Sequence, residues 1–170
     1  MKNTTFAAAA ALSLLAAGLA VSSIKTPGGV LGDAAAAAPG DIDAPPQIAA
    51  LLHRACYDCH SNRTRWPWYG RVAPVSWLVA RDVAHGRREL NFSEWRTYYP
   101  QTRMRKLQWM ERVVSERVMP PWDYRLMHRQ ARLSDAEQVA LTQWIQSAIA
   151  EAQQSRAGGG AVAAGSSRSR

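Results

Sequence analysis

Apolar residues fall at helical spacing along most of the middle of this chain. Ile48, Leu51, Leu52 and Ala55 stand at i, i+3, i+4 and i+7, which predicts a short amphipathic helix opening after Pro45 and Pro46. Val75, Leu78, Val79 and Val83 mark one face of a second helix, from Pro74 to about His85, with Pro74 in its first turn and Gly86 as its C-terminal cap. Asn91-Phe92-Ser93-Glu94-Trp95 predicts a helix start capped by Ser93. A longer helix, from about Thr102 to Arg117, carries Met104, Leu107, Met110, Val113 and Val114 on its apolar face. Met119-Pro120-Pro121 ends that run, because consecutive prolines cannot continue a helix. The last helix opens at Leu133-Ser134-Asp135-Ala136-Glu137, where Ser134 and Glu137 form an S-x-x-E capping box. Val139, Leu141, Trp144, Ile145, Ala148 and Ile149 give it apolar surface. No convincing pair of strands is present, so the predicted class is all-α.

Both ends of the chain stand apart from this pattern. Residues 1–23 carry Lys2, an apolar run from Phe6 to Val21 and then small residues, the layout of a secretory signal peptide. An uncleaved N-terminal anchor is the alternative, although the run is short for a membrane span. Residues 24–45, rich in Gly, Ala, Pro and Asp, read as a linker, and residues 153–170 as a disordered tail. That leaves one domain, residues 46–152, small for a self-sufficient hydrophobic core.

Charge narrows the choice of partner. The chain carries a formal net charge of +8. Residues 54–132 hold 16 Lys plus Arg against 7 Asp plus Glu, an excess of nine positive charges. A solvated surface accounts for such an excess, and so does a basic face that steers an acidic redox partner. No nucleic-acid-binding motif accompanies it. The oligomeric state is not encoded legibly, and a membrane enters only through the N-terminal segment.

Candidate chemistry is concentrated at Cys56-Tyr57-Asp58-Cys59-His60. The pattern C-x-x-C-H is that of a covalent attachment site for haem c. Two thiols that add to two vinyl groups of one porphyrin must stand about a helical turn apart, and the histidine after the second then falls under the ring. Cys56 and Cys59 are the only cysteines. Three other readings compete. One is a zinc site from Cys56, Cys59, His60 and His128. The others are a thioredoxin-like dithiol, which belongs near a βαβ pattern, and a structural disulfide. Trp66, Trp68, Tyr69 and Trp77 are candidates to line a haem edge, where a buried indole N–H or phenol O–H would find a propionate. Met119 is the candidate sixth ligand, since it lies 59 residues after His60 in a proline-restricted loop. His128 is its rival. His53 and His85 read as surface histidines, and Met104 and Met110 as core.

The order of these pieces resembles a class I c-type cytochrome: an N-terminal helix carrying C-x-x-C-H, a late Met-Pro loop, then a capped C-terminal helix. Cys56-Tyr57-Asp58-Cys59-His60-Ser61-Asn62, Trp66-Pro67-Trp68-Tyr69, Ala73-Pro74-Val75-Ser76-Trp77, Asn91–Trp95, Met119-Pro120-Pro121 and Leu133-Ser134 together are similar to the haem-binding domain family of exported bacterial proteins. The resemblance covers most of residues 46–146. It implies a small cytochrome c-like helical domain wrapped around one haem c, attached through Cys56 and Cys59, with His60 as proximal ligand. In c-type cytochromes a proline carbonyl after the haem motif accepts the second N–H of that histidine, which makes Pro74 the candidate and Pro67 the second choice.

The expected function is that of an exported, periplasmic monohaem electron carrier rather than an enzyme, transferring single electrons between redox protein partners, of which the basic-face reading makes one acidic. The alternative is a haem enzyme or sensor whose open or labile sixth site binds peroxide or a diatomic gas. A zinc module is the third.

Overall fold

A computed structural model describes the backbone of residues 41–165 and the side chains as far as residue 155. The expected signal segment, 1–23, and most of the expected linker lie outside the described residues. Among the described residues six α-helices follow in order: α1 (Pro46–Ala55), α2 (Tyr57–His60), α3 (Val75–Glu89), α4 (Pro100–Ser115), α5 (Trp122–Met127) and α6 (Asp135–Gly165). Short 3₁₀ turns occupy Trp68–Arg71, Phe92–Thr97 and Arg129–Ala131, and there is no strand among the described residues. The fold is all-α.

The amphipathic stripes explain the packing. Met104, Leu107, Met110, Val113 and Val114 are all buried on α4, and Leu141 and Ile145 are buried on α6, against which α4 makes its main contact. Ile48, Leu51 and Leu52 of α1 join the same core, with Phe92 and Trp95 of the intervening turn. Each fully buried side chain of this size contributes about 1.5–3 kcal/mol. Val139, placed by periodicity on the apolar face of α6, instead lies in solvent. The capping box forms as predicted: Glu137 Oε2 accepts from Ser134 N at 2.8 Å, and Glu137 N donates to Ser134 Oγ at 3.3 Å. The α6 backbone continues to Gly165, past residue 152, where the sequence pattern predicts the domain to give way to a tail.

Two caps differ from expectation. Helix α3 does not stop at Gly86 but runs one turn further, to Glu89, and Gly86 is buried inside it. Its task is close approach: a Cβ there would stand 2.8 Å from the carbonyl oxygen of Cys59. At the next turn the capping side chain is Asn91, not Ser93. Its oxygen accepts from Ser93 N at 3.1 Å, while its amide donates to Asn62 Oδ1 at 2.8 Å. Asn91 therefore ties this turn to the segment just beyond the C-x-x-C-H motif.

The end of α4 sets the position of Met119. Arg117 adopts a left-handed φ of 59°, unusual for a residue with a Cβ. The chain reverses there, and the Val118 and Met119 N–H groups both donate to the Val113 carbonyl, at 2.9 and 3.0 Å.

Candidate haem site

Cys56 closes α1 and opens α2, so the two thiols are carried on one helical turn. The His60 N–H donates to the Cys56 carbonyl at 2.9 Å, which fixes the histidine relative to that turn. The His60 ring is buried, and its Nδ1 lies 3.0 Å from the Leu90 carbonyl oxygen. A carbonyl only accepts, so Nδ1 carries the proton and Nε2 keeps its lone pair. Burial pushes the His60 pKa down, and its backbone hydrogen bonds to Leu90 and Gly86 only partly oppose this. The ring is therefore neutral at neutral pH and able to bind a metal.

The acceptor is a correction to the sequence reading. Neither Pro74 nor Pro67 receives the His60 N–H. The Pro74 carbonyl accepts from Trp77 N at 3.1 Å and the Pro67 carbonyl from Gly70 N at 3.0 Å, each closing its own local turn. Leu90 follows the last residue of α3, where helical hydrogen bonding ends and a carbonyl is free to turn inward.

No disulfide joins Cys56 and Cys59. Burial pushes both pKa values up to about 12, with the neighbouring Cys59 adding to the effect on Cys56 and Asp58 adding to it on Cys59. No three His, Cys, Asp or Glu side chains come together as metal ligands among the described residues, so Cys56, Cys59, His60 and His128 do not form the zinc set. Nor is there any βαβ unit among the described residues to support a thioredoxin-like reading.

A cavity of about 550 Å³ opens beside the motif. That is within the range of roughly 300–1,000 Å³ typical of small-ligand and cofactor sites. Cys56, Cys59, His60, Tyr69, Met119 and His128 all line it, so the structure brings together most of the residues singled out by sequence. Leu52, Val79, Val83, Leu90, Phe92, Met110, Val113, Val114 and Leu141 make its walls apolar. Trp66, Trp68, Pro74 and Trp77 are not among the lining residues. Trp68 is 76% exposed, and Trp77 also faces solvent. The Trp66 indole N–H is buried without a protein acceptor.

His128 has both ring nitrogens engaged elsewhere. Nδ1 lies 3.2 Å from the Tyr124 carbonyl, and Nε2 lies 3.3 Å from the Tyr69 hydroxyl. The ring stacks on Tyr124 with centroids 4.1 Å apart. Sequence reasoning passed over Tyr124 and Asp58, which also line the cavity. Tyr124 Oη donates to the buried Asp58 Oδ2 at 2.8 Å, and Asp58 Oδ1 accepts from Arg65 N at 3.2 Å. A buried carboxyl needs such partners. The available signal was an acidic residue placed between the two cysteines of the motif.

These features fit a haem. The cavity walls are apolar, two thiols stand on one turn, a neutral buried imidazole has its Nδ1 proton held by the Leu90 carbonyl, and a thioether lies on the lining. The molecule is thus a helical domain with an apolar cavity beside its C-x-x-C-H turn. A family description, the haem-binding domain, matches residues 23–147, and the chain belongs to that family. It is a haem-binding protein. No curated protein and no solved structure matches it.

Proposed function

We propose that the protein holds one haem c through thioether bonds to Cys56 and Cys59, with His60 and Met119 as axial ligands, and carries single electrons between redox proteins outside the cytoplasm. The observation that carries this reading is the Nδ1–H of His60 held by the Leu90 carbonyl beside two thiols on the same turn. When bound, such a haem supplies an iron that cycles between two oxidation states.

The residues of the chain supply the rest. The Leu90 carbonyl orients the His60 ring and raises the basicity of Nε2. The apolar walls exclude water, which is one of the ways a protein sets a haem potential. Met119 is held by its backbone at the end of α4, whereas His128 has both nitrogens in protein hydrogen bonds, and this favours the thioether as sixth ligand. Val75, Leu78 and Met127 line the cavity yet are exposed, so it opens to the surface along α3 and α5. Arg65 and Arg81 line it too, but each is paired with a carboxylate, Asp58 and Asp82, and Glu89 and Asp123 also line it, so an acidic partner would be drawn by the basic excess of residues 54–132 rather than by the cavity mouth. No helix among the described residues is long and apolar enough to cross a membrane. The exported location rests on the character of residues 1–23.

The test is an absorption spectrum of protein made with haem-attachment machinery, oxidised and reduced, with a pyridine haemochrome assay. Covalent haem c in stoichiometric amount is expected, and Cys59→Ala should leave at most one thioether. Protein that carries no covalent haem would refute the attachment. Rapid carbon monoxide binding by the reduced protein would turn the reading toward a gas- or peroxide-binding domain.

A further inference from the structure

Helix α5 follows Met119 after only Pro120 and Pro121, and none of its side chains is buried. Apolar burial, the usual fixative of a helix, therefore does little to hold it. Polar links span the cavity instead. Tyr124 on α5 donates to Asp58 Oδ2 at 2.8 Å, and His128 just beyond α5 meets the Tyr69 hydroxyl at 3.3 Å. The first is the shorter, and its acceptor is buried. Asp58 is itself fixed, because Oδ1 takes the Arg65 N–H at 3.2 Å and its backbone carbonyl takes the Thr64 hydroxyl at 2.7 Å.

Asp58 lies between the two cysteines of the haem motif, and Tyr124 lies five residues after Met119. Resting on the reading of Met119 as an iron ligand, we infer that Asp58 and Tyr124 are positioning residues that hold the Met119 segment against the C-x-x-C-H turn. Met119 is then clamped from both sides. Before it, its own N–H is tied to the Val113 carbonyl of α4. After it, the Tyr124–Asp58 bond ties the chain to the turn that carries the thiols. Burial and the Asp58 carboxyl raise the Tyr124 pKa, which keeps the phenol protonated as the donor. Neither residue touches the iron in this role. Each acts by limiting how far the thioether can swing away.

Tyr124→Phe in the holoprotein removes one oxygen and keeps the ring that stacks on His128. Covalent haem and helical content should match wild type. The near-infrared sulfur-to-iron band of the oxidised protein should weaken, and imidazole should bind the iron about tenfold faster or more, the effect of losing a hydrogen bond to a charged group. Asp58→Ala should do the same per mole of attached haem, and the double variant should be no worse than either alone. Asp58→Asn keeps an acceptor oxygen and should recover part of the effect, and it serves as the test should Tyr124→Phe fail to fold. A band and an imidazole rate unchanged in Tyr124→Phe and Asp58→Ala would overturn the positioning role while leaving Met119 as ligand. A wild-type spectrum with no such band would instead remove Met119 ligation, and the clamp with it.

Discussion

Gly86 of α3 crosses Cys59 so closely that the place of a missing Cβ is 2.8 Å from the Cys59 carbonyl oxygen and 3.2 Å from its Cβ. The obstacle is mainly backbone, which cannot rotate aside as a flexible side chain would. This crossing brings the helix that ends beside Leu90 against the turn that carries the thiols and His60.

Gly86→Ala should therefore destabilise the protein. Overpacking costs about 1–3 kcal/mol, while alanine in a helix interior recovers roughly 1 kcal/mol over glycine. Because the clash is with a main chain on a fixed turn, overpacking should prevail. A lower melting temperature and a smaller yield of covalently attached haem are expected. A variant at least as stable as wild type would mean that the two helices separate at little cost.

The thiols give a pH signature in the haem-free chain. Their pKa values lie near 12 in the fold, against an ordinary 9.0. Alkylation by iodoacetamide at pH 8 should be much slower than for an unfolded peptide, and its rate should still climb beyond pH 9. Stability follows the same linkage. Between about 9 and 12 the unfolded chain loses protons that the folded chain retains, so the fold weakens as pH rises through that window. A rate that levels off near pH 9 would show that the thiols are solvated.

How much of this was legible in the sequence depended on how local each signal was. The α4 stripe was read completely, because a 3.6-residue period reports one buried face directly. The Ser134–Glu137 box was read for a similar reason, since its partners are three residues apart. The acceptor for His60 was not. It is a backbone carbonyl 30 residues away, and every residue has a carbonyl, so no side-chain type marks it. Gly86 reads as a cap in the sequence because glycine serves both to end helices and to admit a neighbour, and only the tertiary crossing tells them apart. Trp68 and Trp77 show the same limit, as an aromatic cluster does not state which rings turn outward.

Met119 and His128 are separated by substitution. Met119→Ala should abolish the sulfur-to-iron band, lower the reduction potential, since Met/His ligation raises it, and admit exogenous ligands to the iron. His128→Ala should leave the band in place. Reversal of these two results would pass the sixth position to His128.

Salt tests the basic face. If the basic excess of residues 54–132 steers an acidic partner, the bimolecular electron-transfer rate should fall severalfold between low and physiological ionic strength, where the screening length shrinks to about 8 Å. A rate that is flat across that range would argue for docking by apolar contact alone.

The bond from His60 to the Leu90 carbonyl has a genetic consequence. A ligand oriented by a carboxylate can be retuned by one codon, but a main-chain acceptor survives replacement of its own side chain. Exchanges at position 90 that preserve the backbone path should leave the donor strength of His60 nearly intact. Its electronic character is thus insulated from mutation at the contact itself, and open chiefly to changes that shift the exit of α3. An amide-to-ester replacement of the 90–91 linkage would weaken that carbonyl without altering the side chain of residue 90, with Tyr98→Phe as its control, because the ester also removes the Asn91 N–H that donates to the Tyr98 hydroxyl at 3.0 Å.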